Sequence, residues 1–163
     1  MPYAVIAQRL QKTWRRFSSF PGGRWLFSRA LGVWVPYSGS IKADIRVLEP
    51  GKACVVLPDR RRVRNHLGSV HAIALANVGE MVTGLALMAG LPENGRLILV
   101  GLDVQYGKKA RGPLTASCAC TLPERAEERD CVLESTIQNA HGDVVATVRA
   151  TWRLGIEPSG KGH

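Results

Sequence analysis

Apolar residues near the start of the chain recur at the spacing of an α-helix. The stripe consists of Tyr3, Ile6, Leu10, Trp14 and Phe17. Basic residues lie mostly off this stripe and the pattern ends at Pro21, so it predicts an amphipathic helix. A second, shorter helix is predicted over 24–31, with Gly32 as the residue that ends it. We therefore expect an N-terminal helical extension over residues 1–39.

From Ser40 onward the pattern changes to short runs in which apolar and polar residues alternate. Residues 41–47 alternate in this way, and a tight turn at 49–51 leads into a second run over 53–57. Together they predict a β-hairpin. The later runs that predict strands are 96–106, 114–122, 131–138 and 144–154.

The longest apolar segment, 72–91, separates the hairpin from the later strands. A helix formed by this segment is apolar on nearly every side, so it must be buried over most of its surface. A curved antiparallel β-sheet wrapped around that helix meets this requirement. The sequence therefore predicts an α+β domain over residues 40–157, followed by a flexible tail at 158–163.

Length and charge narrow the range of functions. The chain has 163 residues, enough for one domain with its own hydrophobic core, and a net charge of +9 that favours anionic partners. Its basic runs lack the interleaved aromatic residues of many nucleic-acid-binding surfaces, so we expect no nucleic-acid partner. Basic residues interrupt every apolar run near the N-terminus, and the longest apolar segment contains Glu80. We therefore expect no signal peptide, no stable membrane insertion and a cytoplasmic location.

The cysteines lie within apolar runs of the predicted strands. They are Cys54, Cys118, Cys120 and Cys131. Neither a CxxC pair nor the Cys/His spacing of a zinc site is present, so we expect reduced thiols in the core and no metal site.

The segment from Asn65 to His71 leads directly into the long apolar helix, which contains Glu80. A carboxylate inside an apolar helix is costly to bury without a partner, so such a residue often has a function. The alternative is a structural role, in which Asn77, Thr83 or a neighbouring arginine satisfies the carboxylate.

Asn65, His71 and Glu80 match, in type and in the spacing Asn-x5-His-x8-Glu, the functional positions of hot-dog-fold acyl-CoA thioesterases. The strand order over residues 40–155 resembles the same superfamily. The segments around the motif most resemble an uncharacterised bacterial branch, similar to the PaaI and 4-hydroxybenzoyl-CoA thioesterases. The resemblance implies the hot-dog fold and thioester hydrolysis, with no cofactor other than the coenzyme A of the substrate.

The resemblance also implies a role for each residue of the motif. Glu80 would act as base or nucleophile, Asn65 would position the water or the carboxylate, and His71 would place the thioester oxygen. The backbone N–H of Ala72, where the family usually has glycine, would donate to the oxyanion at the helix N-terminus. Ser69 is placed to cap this helix.

Two basic clusters suit the phosphates of coenzyme A. The first leads into Asn65, and the second follows the predicted strand that ends at Tyr106. Arginine and lysine both bind phosphate, arginine with the more directional hydrogen bonds. The residues assigned to substrate binding are Arg62, Arg64, Lys108, Lys109 and Arg111, together with Gly68 and Ser69.

His71 and Glu80 are nine residues apart, which on one helix corresponds to about 13 Å along the axis and to roughly opposite faces. One chain alone has difficulty aiming both side chains at a single carbonyl. The resemblance implies a two-fold dimer with antiparallel central helices, in which Glu80 of one chain faces Asn65 and His71 of the other. We therefore expect a homo-oligomer, either a dimer or a dimer of dimers.

Other functions fit parts of the pattern. A non-catalytic hot-dog protein that binds acyl-CoA as a sensor or carrier would keep the cavity and the basic clusters without hydrolysing the substrate. A dehydratase or hydratase of this fold would carry Pro-Gly before the helix or an Asp-x4-His pattern, and neither is present. A membrane-surface protein would use the basic N-terminal helix.

Overall fold

A computed structural model of the chain describes residues 3–91, 95–122 and 127–156. The helices are α1 (Tyr3–Ser18), α2 (Gly23–Trp34), α3 (Pro36–Gly39) and α4 (Ala72–Met88). The strands are β1 (Asp44–Glu49), β2 (Lys52–Leu57), β3 (Gly95–Tyr106), β4 (Leu114–Ala119), β5 (Arg129–Gln138) and β6 (Val144–Ile156). The tail predicted at 158–163 lies outside the described residues, and the division of the chain at residue 39 stays a prediction.

The strands form one curved antiparallel sheet in the order β1-β2-β4-β5-β6-β3. The β1–β2 hairpin predicted from the turn at 49–51 is confirmed by its register, in which Glu49 pairs with Lys52. Helix α4 crosses one face of the sheet and contacts β2, β4, β5 and β6. The predicted α+β arrangement, a curved sheet around a buried central helix, is confirmed.

Glycines allow α4 to lie close to β6. A Cβ atom at Gly79 would stand 2.3 Å from Cγ2 of Val148, and one at Gly84 would stand 3.0 Å from the ring of Trp152. Real Cβ atoms essentially never come within 2.3 Å of another side-chain carbon, so the helix could not approach the strand this closely with alanine at residue 79. Close packing of this kind removes apolar surface from water, which is the main favourable term in folding.

The N-terminal helices share the main hydrophobic core. The rings of Trp14 on α1 and Phe27 on α2 meet edge to face with centroids 5.2 Å apart, and both are buried with Leu10 in the same cluster as the sheet residues.

Two local predictions for this part of the chain are wrong. Gly32 does not end α2, because it lies inside the helix against Gly39 of α3.

The second error concerns the start of the first strand. The alternation of residues 41–47 predicted a strand from residue 41, whereas β1 begins at Asp44. Lys42 has a positive φ of 47°, which an extended strand cannot contain, and its N–H donates to Gly39 O. Ile41 and Ala43 are buried, so the alternation in this segment reports burial of a turn and not strand geometry.

The two edges of the sheet differ in how they are protected. At the β1 edge, α2 supplies hydrogen bonds to the strand: Ser28 Oγ accepts from Ile45 N at 2.9 Å, and Arg24 Nη1 donates to Arg46 O at 3.2 Å. At the other edge, β3 pairs only with β6 among the described strands. Its exposed apolar side chains are Ile98, Val100 and Leu102. Unpaired apolar edges of this length are typical of surfaces that pair with another chain.

The shared core gives a stability prediction for the N-terminal helices. We expect Trp14→Ala to lower the free energy of unfolding by about 3–5 kcal/mol, because it leaves a cavity against Phe27. Trp25→Ala is the matched control: this tryptophan is 59% exposed, and its loss is expected to cost less than about 1 kcal/mol. Urea unfolding followed by circular dichroism measures both. If both substitutions lowered the free energy of unfolding by the same small amount, the contact between α1 and α2 would not contribute to the core.

Candidate functional site

His71 caps the N-terminus of α4. Its Nδ1 accepts a hydrogen bond from Ile73 N at 3.1 Å, so the neutral imidazole carries its proton on Nε2. The ring is exposed, which leaves that Nε2–H available to a ligand. The prediction that Ser69 caps the helix is wrong. Ser69 lies two positions before the N-cap residue, His71, and its backbone forms hydrogen bonds within the preceding turn. Its buried Oγ has no hydrogen-bond partner within the described residues.

Asn65 organises the turn that precedes the helix. Its Oδ1 accepts from Leu67 N at 2.9 Å and from Ser69 N at 3.1 Å, and its backbone N–H donates to Ser69 O at 2.7 Å. Gly68 completes the turn with a positive φ of 69°. These bonds fix the side-chain amide, so Nδ2 points in a set direction. In the described part of the chain this nitrogen has no acceptor, and it can therefore donate to a ligand.

The first residue of α4 offers a free backbone donor. Ala72 N–H has no acceptor among the described residues, because the first turn of a helix lacks intrahelical partners. The carbonyl of Ala72 accepts from the hydroxyl of Tyr106 at 3.1 Å, which ties the end of β3 to the start of α4. Burial raises the pKa of the Tyr106 hydroxyl. The sequence pattern marked Tyr106 only as the end of a strand, so this contact was missed.

The structure brings the two predicted basic clusters together beside this helix end. Val70 N donates to Ala110 O at 2.8 Å, which joins the segment before α4 to the loop after β3. Asp59 joins the same two segments, because its carboxylate accepts from Arg64 and from Gly112 N. The hydrogen bond from Arg64 is the main reason that the pKa of Asp59 is lowered. Arg64 is therefore held in a bidentate pair with Asp59.

The other basic residues divide into two groups. Lys108 Nζ forms an ion pair with Asp143 Oδ1 at 2.7 Å. Among the residues assigned to substrate binding, the side chains of Arg62, Lys109 and Arg111 are exposed and form no ion pair within the described residues. These three can contact an anionic ligand without first breaking an ion pair, whereas Arg64 and Lys108 cannot.

Glu80 lies on another side of α4, at the wall of an apolar cavity of about 270 Å³. The cavity lies between α4 and the N-terminal helices, and Trp152 of β6 lines it next to Gly84. Desolvation by burial raises the pKa of the Glu80 carboxyl. Within the described residues this carboxylate makes neither a hydrogen bond nor an ion pair.

The predicted structural partners of Glu80 bond elsewhere. Thr83 Oγ1 donates at 2.8 Å to the backbone carbonyl of Glu80, not to its carboxylate, and accepts from Trp152 Nε1 at 3.0 Å. Asn77 Nδ2 donates to Tyr37 O at 3.4 Å. The carboxylate is therefore half-buried, and no contact in the described chain offsets the cost of its desolvation.

The structure places Glu80 apart from the other members of the motif. Asn65, His71 and Ala72 meet at the N-terminus of α4, whereas Glu80 lies more than two turns further along the same uninterrupted helix. The chain thus presents two half-sites: donors and positive charge at one position, and a desolvated carboxylate beside an apolar cavity at another. The two positions are about 13 Å apart along one helix and on roughly opposite sides of it, so one chain alone has difficulty aiming both at a single carbonyl.

Two other features bear on the chemistry. Among the described residues, no group of three or more His, Cys, Asp and Glu side chains could hold a metal ion. No helix in the described part of the chain is long and apolar enough to cross a membrane.

Comparisons with known proteins give the family and the fold. The model of a family described as a domain of unknown function, DUF4442, matches residues 23–154. No curated protein matches the chain. The crystal structure of the structural-genomics target APC5556 is 29% identical over 94% of this chain and 98% of its own, with a TM-score of 0.77.

Two further solved structures carry functional names. A Pseudomonas aeruginosa protein of unknown function, described as a probable thioesterase, is 22% identical over 85% of this chain and 97% of its own, with a TM-score of 0.69. A Staphylococcus aureus thioesterase mutant is 17% identical over 74% of this chain and 98% of its own, with a TM-score of 0.65. At these identities the likeness shows the fold alone. The chain has the predicted hot-dog fold, and it belongs to the DUF4442 family.

Proposed function

We propose that the protein is a thioesterase that hydrolyses an acyl-CoA or aryl-CoA, with the carboxylate of Glu80 as base or nucleophile. The observation that carries this proposal is the unpaired, desolvated carboxylate beside an apolar cavity. A buried charge without a partner is costly to the fold, and such groups concentrate at functional sites. The fold shared with named thioesterases supports the same chemistry.

In the proposed reaction the thioester carbonyl lies against the N-terminus of α4. Ala72 N–H and the positive end of the helix dipole stabilise the oxyanion that forms on the carbonyl oxygen. If Glu80 acts as base, it takes a proton from water as the oxygen of that water bonds to the carbonyl carbon. The carbon–sulfur bond then breaks, and the electron pair leaves with the thiolate of coenzyme A.

The remaining residues bind and orient the substrate in this proposal. Asn65 Nδ2 donates to the attacking water or to the Glu80 carboxylate, and His71 Nε2–H donates to the thioester oxygen. The unpaired cations, Arg62, Lys109 and Arg111, bind the phosphates of coenzyme A. A substrate of this kind also fits the cytoplasmic location expected from the sequence.

The proposed active site is shared between two copies of the chain. Two observations support a dimer: the half-sites lie on different faces of α4, and β3 leaves an apolar edge without a strand partner in the described residues. Antiparallel pairing of two β3 edges would give the unpaired backbone N–H and C=O groups of this strand a partner strand. It would also bring α4 of one copy alongside α4 of its partner.

The first test is thiol release from a panel of short, medium, long and aromatic acyl-CoAs. We expect wild type to hydrolyse part of the panel and Glu80→Gln to lose at least about a hundredfold in kcat, as removal of a general base does. Glu134→Gln is the control, because this exposed glutamate pairs only with Arg149 at 3.3 Å. If wild type binds acyl-CoA but releases no thiol from any of them, the protein is an acyl-CoA sensor or carrier.

The raised pKa of Glu80 gives a second prediction, on pH. The carboxylate must be ionised to act, so kcat/KM should fall as pH decreases, with an apparent pKa above the ordinary glutamate value of 4.5. The same shift affects stability. Because the folded state disfavours the ionised form, wild type loses stability as pH rises through the raised pKa.

The effect of the Glu80 carboxylate on stability can be measured apart from catalysis by comparing the urea unfolding of wild type and Glu80→Gln. The variant should unfold at a higher urea concentration than wild type at about pH 7, and the difference should vanish at about pH 3, where the carboxyl is neutral in both states. Protein concentration is held constant in both series. A variant that is less stable than wild type at neutral pH would contradict the unpaired, desolvated carboxylate.

Complementation between two inactive variants tests the shared site. Asn65→Asp keeps the Oδ1 acceptor that Leu67 and Ser69 use, but it loses the Nδ2 donor, so it should fold and be inactive. When Asn65→Asp and Glu80→Gln are co-expressed, half of the dimers are mixed and each has one intact site. We expect about a quarter of wild-type activity from the mixture. No recovery, with mixed dimers shown by mass spectrometry, would place each site within one chain.

A further inference from the structure

The cavity beside Glu80 extends away from the carboxylate towards the N-terminal helices. Its lining from α4 is Met81, Leu85 and Met88, and α1 and α2 supply Ile6, Leu10 and Leu31. Apart from Glu80, the hydrogen-bonding side chains of this lining are those of Trp34, Ser38 and Trp152, and Trp152 Nε1 is already bonded to Thr83. A long apolar lining of this type favours an alkyl chain over an aromatic acyl group whose polar substituents need partners.

A second apolar cleft lies next to this cavity, between α1 and α2. It has a volume of about 290 Å³, and its own lining includes Thr13, Phe27 and Ala30. The side chains that line both spaces are Ile6, Leu10, Leu31 and Trp34. We call these four residues the partition, because they form the boundary between the cavity beside Glu80 and the outer cleft.

We propose that the substrate carries a linear alkyl acyl chain, which runs from Glu80 into the cavity beneath α1 and α2, and that the partition sets the longest chain accepted. This inference rests on the proposed function for the identity of the ligand. The chain ends where it meets the partition, and longer chains must leave part of their apolar surface in water. The N-terminal helices are therefore the specificity element of the site.

Leu31 is the partition residue best suited to a test. Leu10 is 8% exposed and belongs to the core, so its truncation would also destabilise the fold. Trp34 is 58% exposed, so much of its ring lies outside the boundary. Leu31 is half-buried on α2, and Leu31→Ala would open the cavity to the outer cleft without removing a fully buried side chain.

The experiment measures binding of S-alkyl-CoA thioethers, from butyl to hexadecyl, by isothermal titration calorimetry. These analogues cannot be hydrolysed, so binding is read without turnover. In wild type the affinity should rise about fourfold per methylene until the chain reaches the partition, and then level off. In Leu31→Ala the rise should continue, giving at least roughly tenfold tighter binding of the first longer analogues than in wild type.

Two variants control for indirect effects. Leu26→Ala makes the same change on the same helix, but Leu26 lines neither space, so the chain-length profile should match wild type. Ala30→Leu narrows the outer cleft alone. It should leave the wild-type profile unchanged and should cancel the gain when combined with Leu31→Ala.

The outcomes separate the two proposals. If affinity depends on alkyl length and Leu31→Ala extends the limit as stated, the partition is supported. If affinity depends on alkyl length but Leu31→Ala behaves like Leu26→Ala, the partition inference is wrong and the proposed function is untouched. If Ala30→Leu alone shortens the wild-type limit, the chain already enters the outer cleft, which also overturns the partition. If no S-alkyl-CoA binds wild type, the linear-alkyl inference is wrong. The proposed function fails as well only if the aromatic members of the acyl-CoA panel are neither bound nor hydrolysed.

Discussion

The burial of α4 against the sheet is the constraint on which the rest of the structure depends. The helix approaches β6 closely because Gly79 leaves room for Val148, and Ser135 Oγ on the neighbouring strand β5 donates a hydrogen bond to Gly79 O at 3.2 Å. Every candidate functional group is placed relative to this helix. His71 and Ala72 are at its beginning. Glu80 is on the side that the sheet leaves uncovered, and the N-terminal helices cover that side.

The N-terminal helices solve two problems that the sheet and α4 leave open. They supply hydrogen bonds to the β1 edge through α2, as in the bond between Ser28 Oγ and Ile45 N. They also cover the apolar side of α4, but incompletely, so that a cavity remains beside Glu80. The opposite edge strand, β3, contacts α1 and α4 but pairs only with β6 among the described strands. This unpaired strand edge supports the association through β3 that we propose, since such an edge is a template for another strand.

The Glu80 carboxylate shows how stability and function compete in this fold. Burial raises its pKa and disfavours the ionised form, and no side chain in the described residues compensates. Asn77 and Thr83 are near enough in sequence to do so, yet both bond to backbone carbonyls. The absence of a partner for this half-buried carboxylate among the described residues is the feature that supports the function we propose for Glu80.

The sequence by itself determined the fold class, the strand and helix order and the buried central helix, because hydrophobic periodicity reports directly which faces are buried. It also pointed to Glu80 as a candidate functional residue, since a carboxylate in an apolar helix is conspicuous wherever the helix packs, and its role stays a prediction. Contacts between distant segments were decided only by the tertiary structure. The hydrogen bond from Gly112 N to Asp59, the contact of Tyr106 with Ala72 and the cavity beneath α1 and α2 all join residues far apart in the chain. Local conformation also overrode the pattern at Gly32 and Lys42, where close helix contact and a positive φ are invisible to periodicity.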